Sequence, residues 1–359
     1  MTLLNKYIFK TFSMGLLISV LLLLSIDVLF NLIKELDDIT SAYTLVDVFF
    51  YVLLTVPSKI YEMFPVSVVV AVVVSLGALA SGSELVVMLA SGVSKLKLAV
   101  VVLFSVAMWL IVVVWLGEFV APAGDQMAQQ FRNEQVSQGK ATSASNAMWL
   151  RDGDVIFRAN HMKSMSQEDS YELLGVTVFE LKEKRLVQVS EAQRAVFENQ
   201  QWTLNDLKVS VFSDQGVHTQ YKARQQWQSR IQPEILNIST TRPKYLSLRD
   251  IAKFQDFSSQ TGELQSAYRI AWWSKMAFPI LVLATALCGV VVLFGQVRSG
   301  GFAQRLVIGI VIGIVVYLIN KTLLNVGEVY HVHPFWVTLL PSLALMSVLL
   351  VLLSDRFKI

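Results

Sequence analysis

The chain is poor in the residues that mark most enzymes and metal proteins. Of 359 residues, one is cysteine and four are histidine. Cys288 lies inside an apolar run, so a disulfide framework and a cysteine-based metal site are both excluded. The histidines are dispersed. His331 and His333 are the one close pair, in a loop with no carboxylate partner beyond Glu328, and a solvated loop is the simpler reading. There is no glycine-rich Lys-Ser/Thr phosphate loop, no His-Glu-x-x-His and no Gly-x-Ser-x-Gly elbow. The chain is therefore expected to bind no cofactor or metal of its own and to lack ATPase chemistry. Charge is scarce as well. Charged residues make up 16% against 54% hydrophobic, which excludes an ordinary soluble domain.

What is present is a series of runs long enough to cross a bilayer, whose core of about 30 Å needs roughly 20 apolar residues in helical form. Phe12–Ile33 meets that length with one charge, Asp27, and Leu306–Gly327 with one, Lys321. Met63–Ser83, Leu98–Gly117, Met276–Val297 and Pro334–Ser354 carry none. The first run is too long for a signal-peptide core and has no small-x-small site before Asp27, so it is expected to stay as an anchor. Six spans put both ends of the chain on one side. Short loops on that side hold Lys6, Lys10, Lys95, Lys97, Arg298, Arg305, Arg356 and Lys358 against Glu84 and Asp355. The positive-inside rule makes that side cytoplasmic.

Between the third and fourth spans lies the polar stretch Gly124–Ala267, with 17 basic and 17 acidic residues and hence no electrostatic call for nucleic acid. Short alternating runs fill it: Asp154–Ala159, Gly175–Leu181, Leu186–Ser190, Gln201–Leu204 and Leu207–Phe212. Turn residues at Asn199-Gln200 and Asp214-Gln-Gly216 separate some of them. Period-two alternation at such spacing predicts an all-β sandwich or jelly roll. Ala123–Gln138 reads as a helical extension of the third span. Ser247-Leu-Arg-Asp250 reads as a capping box for a short helix to about Phe257, punctuated by Gly262, and Glu263–Trp273 leads into the fourth span. Trp272 and Trp273 sit where an aromatic belt belongs. The expected fold is thus integral membrane α-helical with an inserted β domain. Residues 1–122 hold three spans, 123–266 the insert and 267–359 three more.

Two features bear on function. Ser83-Glu-Leu-Val-Val-Met-Leu-Ala-Ser-Gly92 lies in the loop between spans two and three. Ser83 is expected to cap a short helix, Glu84 to complement its dipole and Gly92 to end it. Leu85, Val86, Met88 and Leu89 would then be exposed, either to a docking partner or to the headgroup layer. The second feature is intramembrane charge. Asp27 and Lys321 lie at similar depths, which permits an ion pair, and Lys321 can alternatively snorkel outward. The helical pattern from Leu45 to Gly82 is longer than one crossing, with Pro57 and Pro65 bracketing Lys59 and Glu62. Lys34, Lys59 and Arg132 fall near one mouth of the spans, either as ordinary interfacial residues or as a site for substrate phosphate or carboxylate.

The runs Ser83–Ser94, Gly117-Glu-Phe-Val-Ala-Pro-Ala-Gly-Asp-Gln-Met127 and Tyr245-Leu-Ser-Leu-Arg-Asp-Ile251 resemble the signatures of the lipopolysaccharide export permeases, the YjgP/YjgQ family. The resemblance covers essentially the whole chain. It implies a permease subunit of an ABC transporter in the bacterial inner membrane, paired with a sister permease, LptF, and driven by two copies of the ATPase LptB. LptC and, through a periplasmic bridge, LptA would complete the partners, with ATP used only by LptB. It assigns Glu84 to ATPase coupling and Arg132 to the mouth of a lipid cavity. Family members resemble one another in a lysine-rich end of span one, whereas here that end reads Asn31-Leu-Ile-Lys-Glu-Leu-Asp-Asp38. Headgroup contacts would then fall to Lys59 and Arg132, or to carboxylates bridged by divalent cations. From the residues alone, a mechanotransmission-type permease and a lipid-modifying membrane enzyme stay open. The first commonly has four spans, and the second needs clustered nucleophiles or metal ligands.

Overall fold

A computed structural model of the chain describes residues 3–40, 43–139, 148–164, 171–183, 185–198, 201–213, 216–227, 229–261, 266–294 and 302–357. Expectations placed on Asn199, Gln200, Asp214, Gly262, Glu263, Arg298 and Lys358 lie outside the described residues. The chain divides into two compact units, Met1–Gly139 with Arg269–Ile359, and Lys140–Tyr268.

The first unit contains six helices long and apolar enough to cross a membrane. They are α1 (Leu3–Leu36), α2 (Leu45–Ser81), α4 (Lys95–Trp115) with its continuation, α8 (Ser266–Phe294), α9 (Phe302–Val329) and α10 (Pro334–Phe357). A short α3 (Glu84–Ala90) links α2 to α4. Helix α2 is the hub. It runs through Pro57 and Pro65 without a break, and every residue from Phe64 to Val73 is buried. A helix that is apolar all round belongs inside, and its valines stay helical because a membrane leaves backbone groups no other partners. Small residues let its neighbours approach. Gly15 of α1 lies against Ala71 and Ser75, Gly289 of α8 against Val69 and Val72, and Gly309 and Gly313 of α9 against Val73 and Val66. Cys288 is buried in this core. By contrast α1 and α9 leave broad apolar faces exposed, including Leu21, Phe30, Ile314 and Leu318.

The third span does not end as a plain α-helix. Leu116–Val120 forms a π-helical turn before the chain continues as α5 (Ala121–Gly139), the helical extension expected there.

The second unit holds one seven-stranded antiparallel sheet. Its strands are β1 (Met148–Asp152), β2 (Val155–Ala159), β3 (His161–Ser164), β4 (Tyr171–Lys182), β5 (Arg185–Glu198), β6 (Gln201–Ser213) and β7 (Gly216–Trp227). The path runs β1-β2-β4-β5-β6-β7, with β3 paired on β4. The inserted β domain is therefore a single sheet among the described residues, with almost every strand beside its sequence neighbour. The two runs read separately at 201–204 and 207–212 are one strand, β6.

A line of irregularity crosses this sheet. The ladder skips Gly175 against Gln193, Gln193 against Asp206, and Asp206 against Ala223 while keeping register on both sides. Gly175 and Asp206 have φ of 63° and 55°. At this line the buried positions change parity. They pass from Leu173 to Val176 and Val178 in β4, from Ala192 to Ala195 in β5, and from Trp202 and Leu204 to Leu207 and Val209 in β6. A one-residue switch normally sends a strand's apolar set to the wrong face. Here the irregularity falls in adjacent strands at the same level, so the apolar side stays continuous. The Trp202 indole closes the core by donating to the Ile231 carbonyl at 2.7 Å. Two helices, α6 (Pro233–Thr240) and α7 (Leu248–Thr261), follow the sheet. Ser247 caps α7 as expected, its Oγ accepting from the Asp250 backbone N–H at 3.1 Å, while that hydroxyl donates to the Asp250 carboxylate at 2.7 Å.

Candidate functional sites

The loop helix α3 exists, but its faces are arranged differently from the sequence expectation. Ser83 adopts φ 60° and makes no side-chain cap bond, so it turns the chain instead of capping it. Gly92, at φ 90°, ends the helix as expected. Its N–H donates to the Leu89 carbonyl, and the next N–H, on Val93, reaches back to Met88. Leu85 is buried and Met88 and Leu89 are half-buried, all packed on the core of the spans. The outward apolar pair is Val86 and Val87, 63% and 65% exposed. The seven-residue helix thus uses one side to seat itself and leaves a small apolar face with Glu84 at its start. That carboxylate accepts a 2.6 Å hydrogen bond from the Tyr7 hydroxyl at the beginning of α1. Tyr7 was not foreseen, because nothing local links positions so far apart in sequence.

The intramembrane charges form a chain of contacts across three spans. Asp27 of α1 lies 3.8 Å from Lys59 of α2, and Lys59 lies 3.7 Å from Glu62 one turn on. The Tyr317 hydroxyl of α9 donates to Glu62 Oε1 at 3.4 Å and accepts from Lys321 Nζ at 3.4 Å. Asn31 adds a 2.7 Å bond to the Asp27 carboxylate. The ion pair that depth permitted between Asp27 and Lys321 is not formed. Lys59 takes Asp27, because α2 stands next to both α1 and α9 and presents its own cation first.

Arg132 is committed elsewhere. Its Nε donates to Glu35 at 2.9 Å and its Nη2 to Asp38, while the guanidinium lies 5.9 Å over the Tyr51 ring. The acidic end of α1 therefore has a cation of its own, supplied by α5. Burial and the Glu35 charge push the nearby Tyr43 hydroxyl well above its ordinary pKa, which keeps it protonated. Lys34, one residue before Glu35, is exposed. Lys34, Lys59 and Arg132 consequently do not converge on one open basic site. Each of the last two already faces a pair of carboxylates.

The Gly117–Met127 run, a family signature in the sequence, builds a contact surface in the fold. A Cβ at Gly117 would overlap the Tyr61 ring, which stacks on Phe278 at 4.0 Å. Lys275 of α8 lies 3.0 Å from Glu118 and 3.4 Å from the Gly117 carbonyl. The π turn loosens the usual i to i−4 pattern around this carbonyl, and an ammonium meets it. One helix further along, the Ser58 hydroxyl of α2 donates to the buried Asp125 carboxylate, and Gly124 lies against the Leu54 carbonyl. Among the described residues no group of three or more His, Cys, Asp or Glu is placed to hold a metal ion.

Six membrane-length helices, an inserted antiparallel β domain and a seated loop helix between the second and third spans define a multi-pass membrane protein. The profile of the family described as lipopolysaccharide export system permease LptF/LptG matches residues 6–355, and the chain belongs to that family. It is 27% identical over 361 residues to the lipopolysaccharide export system permease protein LptG of Escherichia coli K12, covering 98% of both chains. It is 25% identical over 357 residues to the protein of the same name from Haemophilus influenzae, again covering 98% of both.

Proposed function

We propose that this chain is the permease subunit through which lipopolysaccharide leaves the inner membrane, with ATP hydrolysed by a separate cytoplasmic ATPase. The observation that carries the reading is the full-length family match on a six-span chain. Its termini lie in the cytoplasm and the β domain in the periplasm, as the excess of short-loop lysine and arginine favours. The chain pairs with a sister permease, LptF. Two copies of LptB drive the pair, LptC accompanies it, and LptA receives the lipid beyond the β domain. The exposed faces of α1 and α9 are where a bilayer lipid or the sister permease meets this chain, since apolar side chains there have no cover within it.

Helix α3 is the ATPase contact. Val86 and Val87 supply apolar area and Glu84 the charge, while Leu85, Met88 and Leu89 transmit the displacement to the core. The substrate-facing cations are Lys34, Lys59 and Lys321, with Asp27 as a partner of Lys59. Arg132 holds the end of α1. Val176 and Val178, each 1% exposed, belong to the continuous apolar side of the sheet. Acyl chains pass along that side, and a photo-crosslinker at either position captures lipid during turnover. Silence at both, with capture elsewhere in the exporter, removes this part of the reading.

The deciding experiment is ATPase turnover of the assembled exporter in nanodiscs, with and without lipopolysaccharide, for wild type and Glu84→Ala. Lipid-sensitive turnover that Glu84→Ala uncouples is expected. Turnover blind to lipopolysaccharide in the wild type removes the function, and a fully coupled Glu84→Ala exporter removes the role of α3.

A further inference from the structure

The contacts running from Asp27 to Lys321 place two carboxylates and two ammonium groups where each charge is costly. A bundle that needed only stability would do as well with apolar side chains, because these commonly replace a buried ion pair without loss. Contact length separates this group from the structural ion pairs nearby. Its contacts are long, between 3.4 and 3.8 Å from Lys59 through Tyr317 to Lys321, whereas Lys275 meets Glu118 at 3.0 Å and Arg132 meets Glu35 at 2.9 Å. It is also reachable. The side chains of Asp27, Lys59 and Glu62 keep 17%, 21% and 28% of their surface, and Lys321 is exposed. The group borders the open apolar faces. Phe30 lies one turn from Asp27 on α1 and Leu318 one turn from Lys321 on α9, and both are more than half exposed.

Resting on the transport reading above, we infer that Asp27 and Glu62 are internal counter-ions that a phosphate monoester of the lipid headgroup must displace. The two carboxylates then set the threshold for substrate binding. In the lipid-free chain they neutralise Lys59 and, through Tyr317, engage Lys321. A carboxylate offers one negative charge, whereas a phosphate monoester carries between one and two near neutral pH and has three acceptor oxygens. It outcompetes the carboxylates for two flexible ammonium groups. A phosphodiester lipid, with a single charge, does not. The acids thus work as a specificity filter against the ordinary anionic lipids of the same leaflet. Glu62 is the position that carries this filter, since it stands between Lys59 and Tyr317 and so between α2 and α9.

The test uses the assembled exporter in nanodiscs and reads the lipid-dependent rise in melting temperature as a binding curve. The probes are bisphosphorylated lipid A, its dephosphorylated form, phosphatidylglycerol and inorganic phosphate. Glu62→Gln keeps an acceptor for Tyr317 and removes the charge, and Asp27→Asn is the second variant. In both, half-saturation by bisphosphorylated lipid A is expected to move about three- to fivefold lower, the order of one partly exposed ion pair. Phosphatidylglycerol gains at least as much, so discrimination narrows, while dephosphorylated lipid A is unaffected. Unchanged or weaker binding in both variants, against a normal wild-type curve, overturns the inference. Saturation by inorganic phosphate alone overturns its lipid-headgroup part. A wild type that ignores phosphorylated lipid A removes the transport reading instead.

Discussion

The Tyr7 hydroxyl and the Glu84 carboxylate, 77 positions apart, meet at 2.6 Å and join the first turns of α1 to the start of α3. Glu84 is thereby held in one direction before any partner arrives. The same bond ties the loop helix to a span that has a broad exposed apolar face. A push on α3 thus reaches α1 directly as well as through the core.

Tyr7→Phe removes only the hydroxyl. A single net hydrogen bond is worth about 1 kcal/mol, roughly a fivefold shift away from the held position of Glu84, and the ratio of lipid moved to ATP consumed is expected to fall. The effect of Glu84→Ala is larger and includes that of Tyr7→Phe. The double variant behaves as Glu84→Ala alone, and additive losses would show that the two residues act separately.

The faces of α3 make opposite predictions for neighbouring residues. Val87→Asp is expected to leave the melting temperature of the isolated permease unchanged and to abolish co-purification of the ATPase. Leu85→Ala lowers that melting temperature, with a cost of about 2 kcal/mol or more for a buried leucine. A Val87→Asp chain that still retains the ATPase would move the contact off this face.

Gly117 is fixed by the Tyr61 ring. Gly117→Ala forces that ring off Phe278, and overpacking of this kind costs about 1–3 kcal/mol. Thermal unfolding in detergent measures it. The pair Gly117→Ala with Tyr61→Leu recovers part of the loss, because the obstructing ring is gone.

Arg132 neutralises two acids. Arg132→Ala leaves Glu35, which is 9% exposed, without its ion pair. The destabilisation is about 1–3 kcal/mol, below that of a fully buried pair because the arginine side chain is 27% exposed. Glu35→Gln in the same chain restores part of it. If Arg132 instead served mainly as a lipid ligand, the variant would lose lipid binding at full stability.

Much of this molecule was legible in its sequence. The six spans followed from run length and scarcity of charge, the loop helix from the glycine at its end, and the cap of α7 from Ser247 and Asp250. The β insert followed from alternation. What escaped has a common physical cause: it depends on which helices are neighbours. Nothing in the order of residues says that α2 stands between α1 and α9, so depth alone permits Asp27 to meet Lys321, when Lys59 is its partner. The same holds for Arg132, a free cation in sequence and a doubly paired one in the fold. On α3, nothing in the five apolar residues Leu85–Leu89 says which three are seated and which two face outward. The line through Gly175 and Asp206 was hidden because parity changes that compensate one another across strands look, in each strand alone, like a broken pattern.

That line yields a further expectation. Asp206 holds a left-handed conformation that costs an ordinary side chain about 1 kcal/mol. Asp206→Gly is expected to raise the melting temperature slightly, whereas Gly175→Val lowers it. Equal, small effects from both would show that the backbone there relaxes freely.

The π turn at Leu116–Val120 makes chain length itself a determinant of direction. One surplus residue is accommodated there, and each residue of a regular helix turns the path by about 100°. Deleting a single residue from the turn would let the third span close into an uninterrupted α-helix. Everything beyond would rotate by that angle. Asp125 would swing away from Ser58, Gly124 from the Leu54 carbonyl and Arg132 from Glu35, with no side chain altered in chemistry. The segment thus behaves as a phase setting between the membrane part of the helix and the part that leads to the β domain. Inserting one residue further along α5 would offset such a deletion for every contact beyond the insertion.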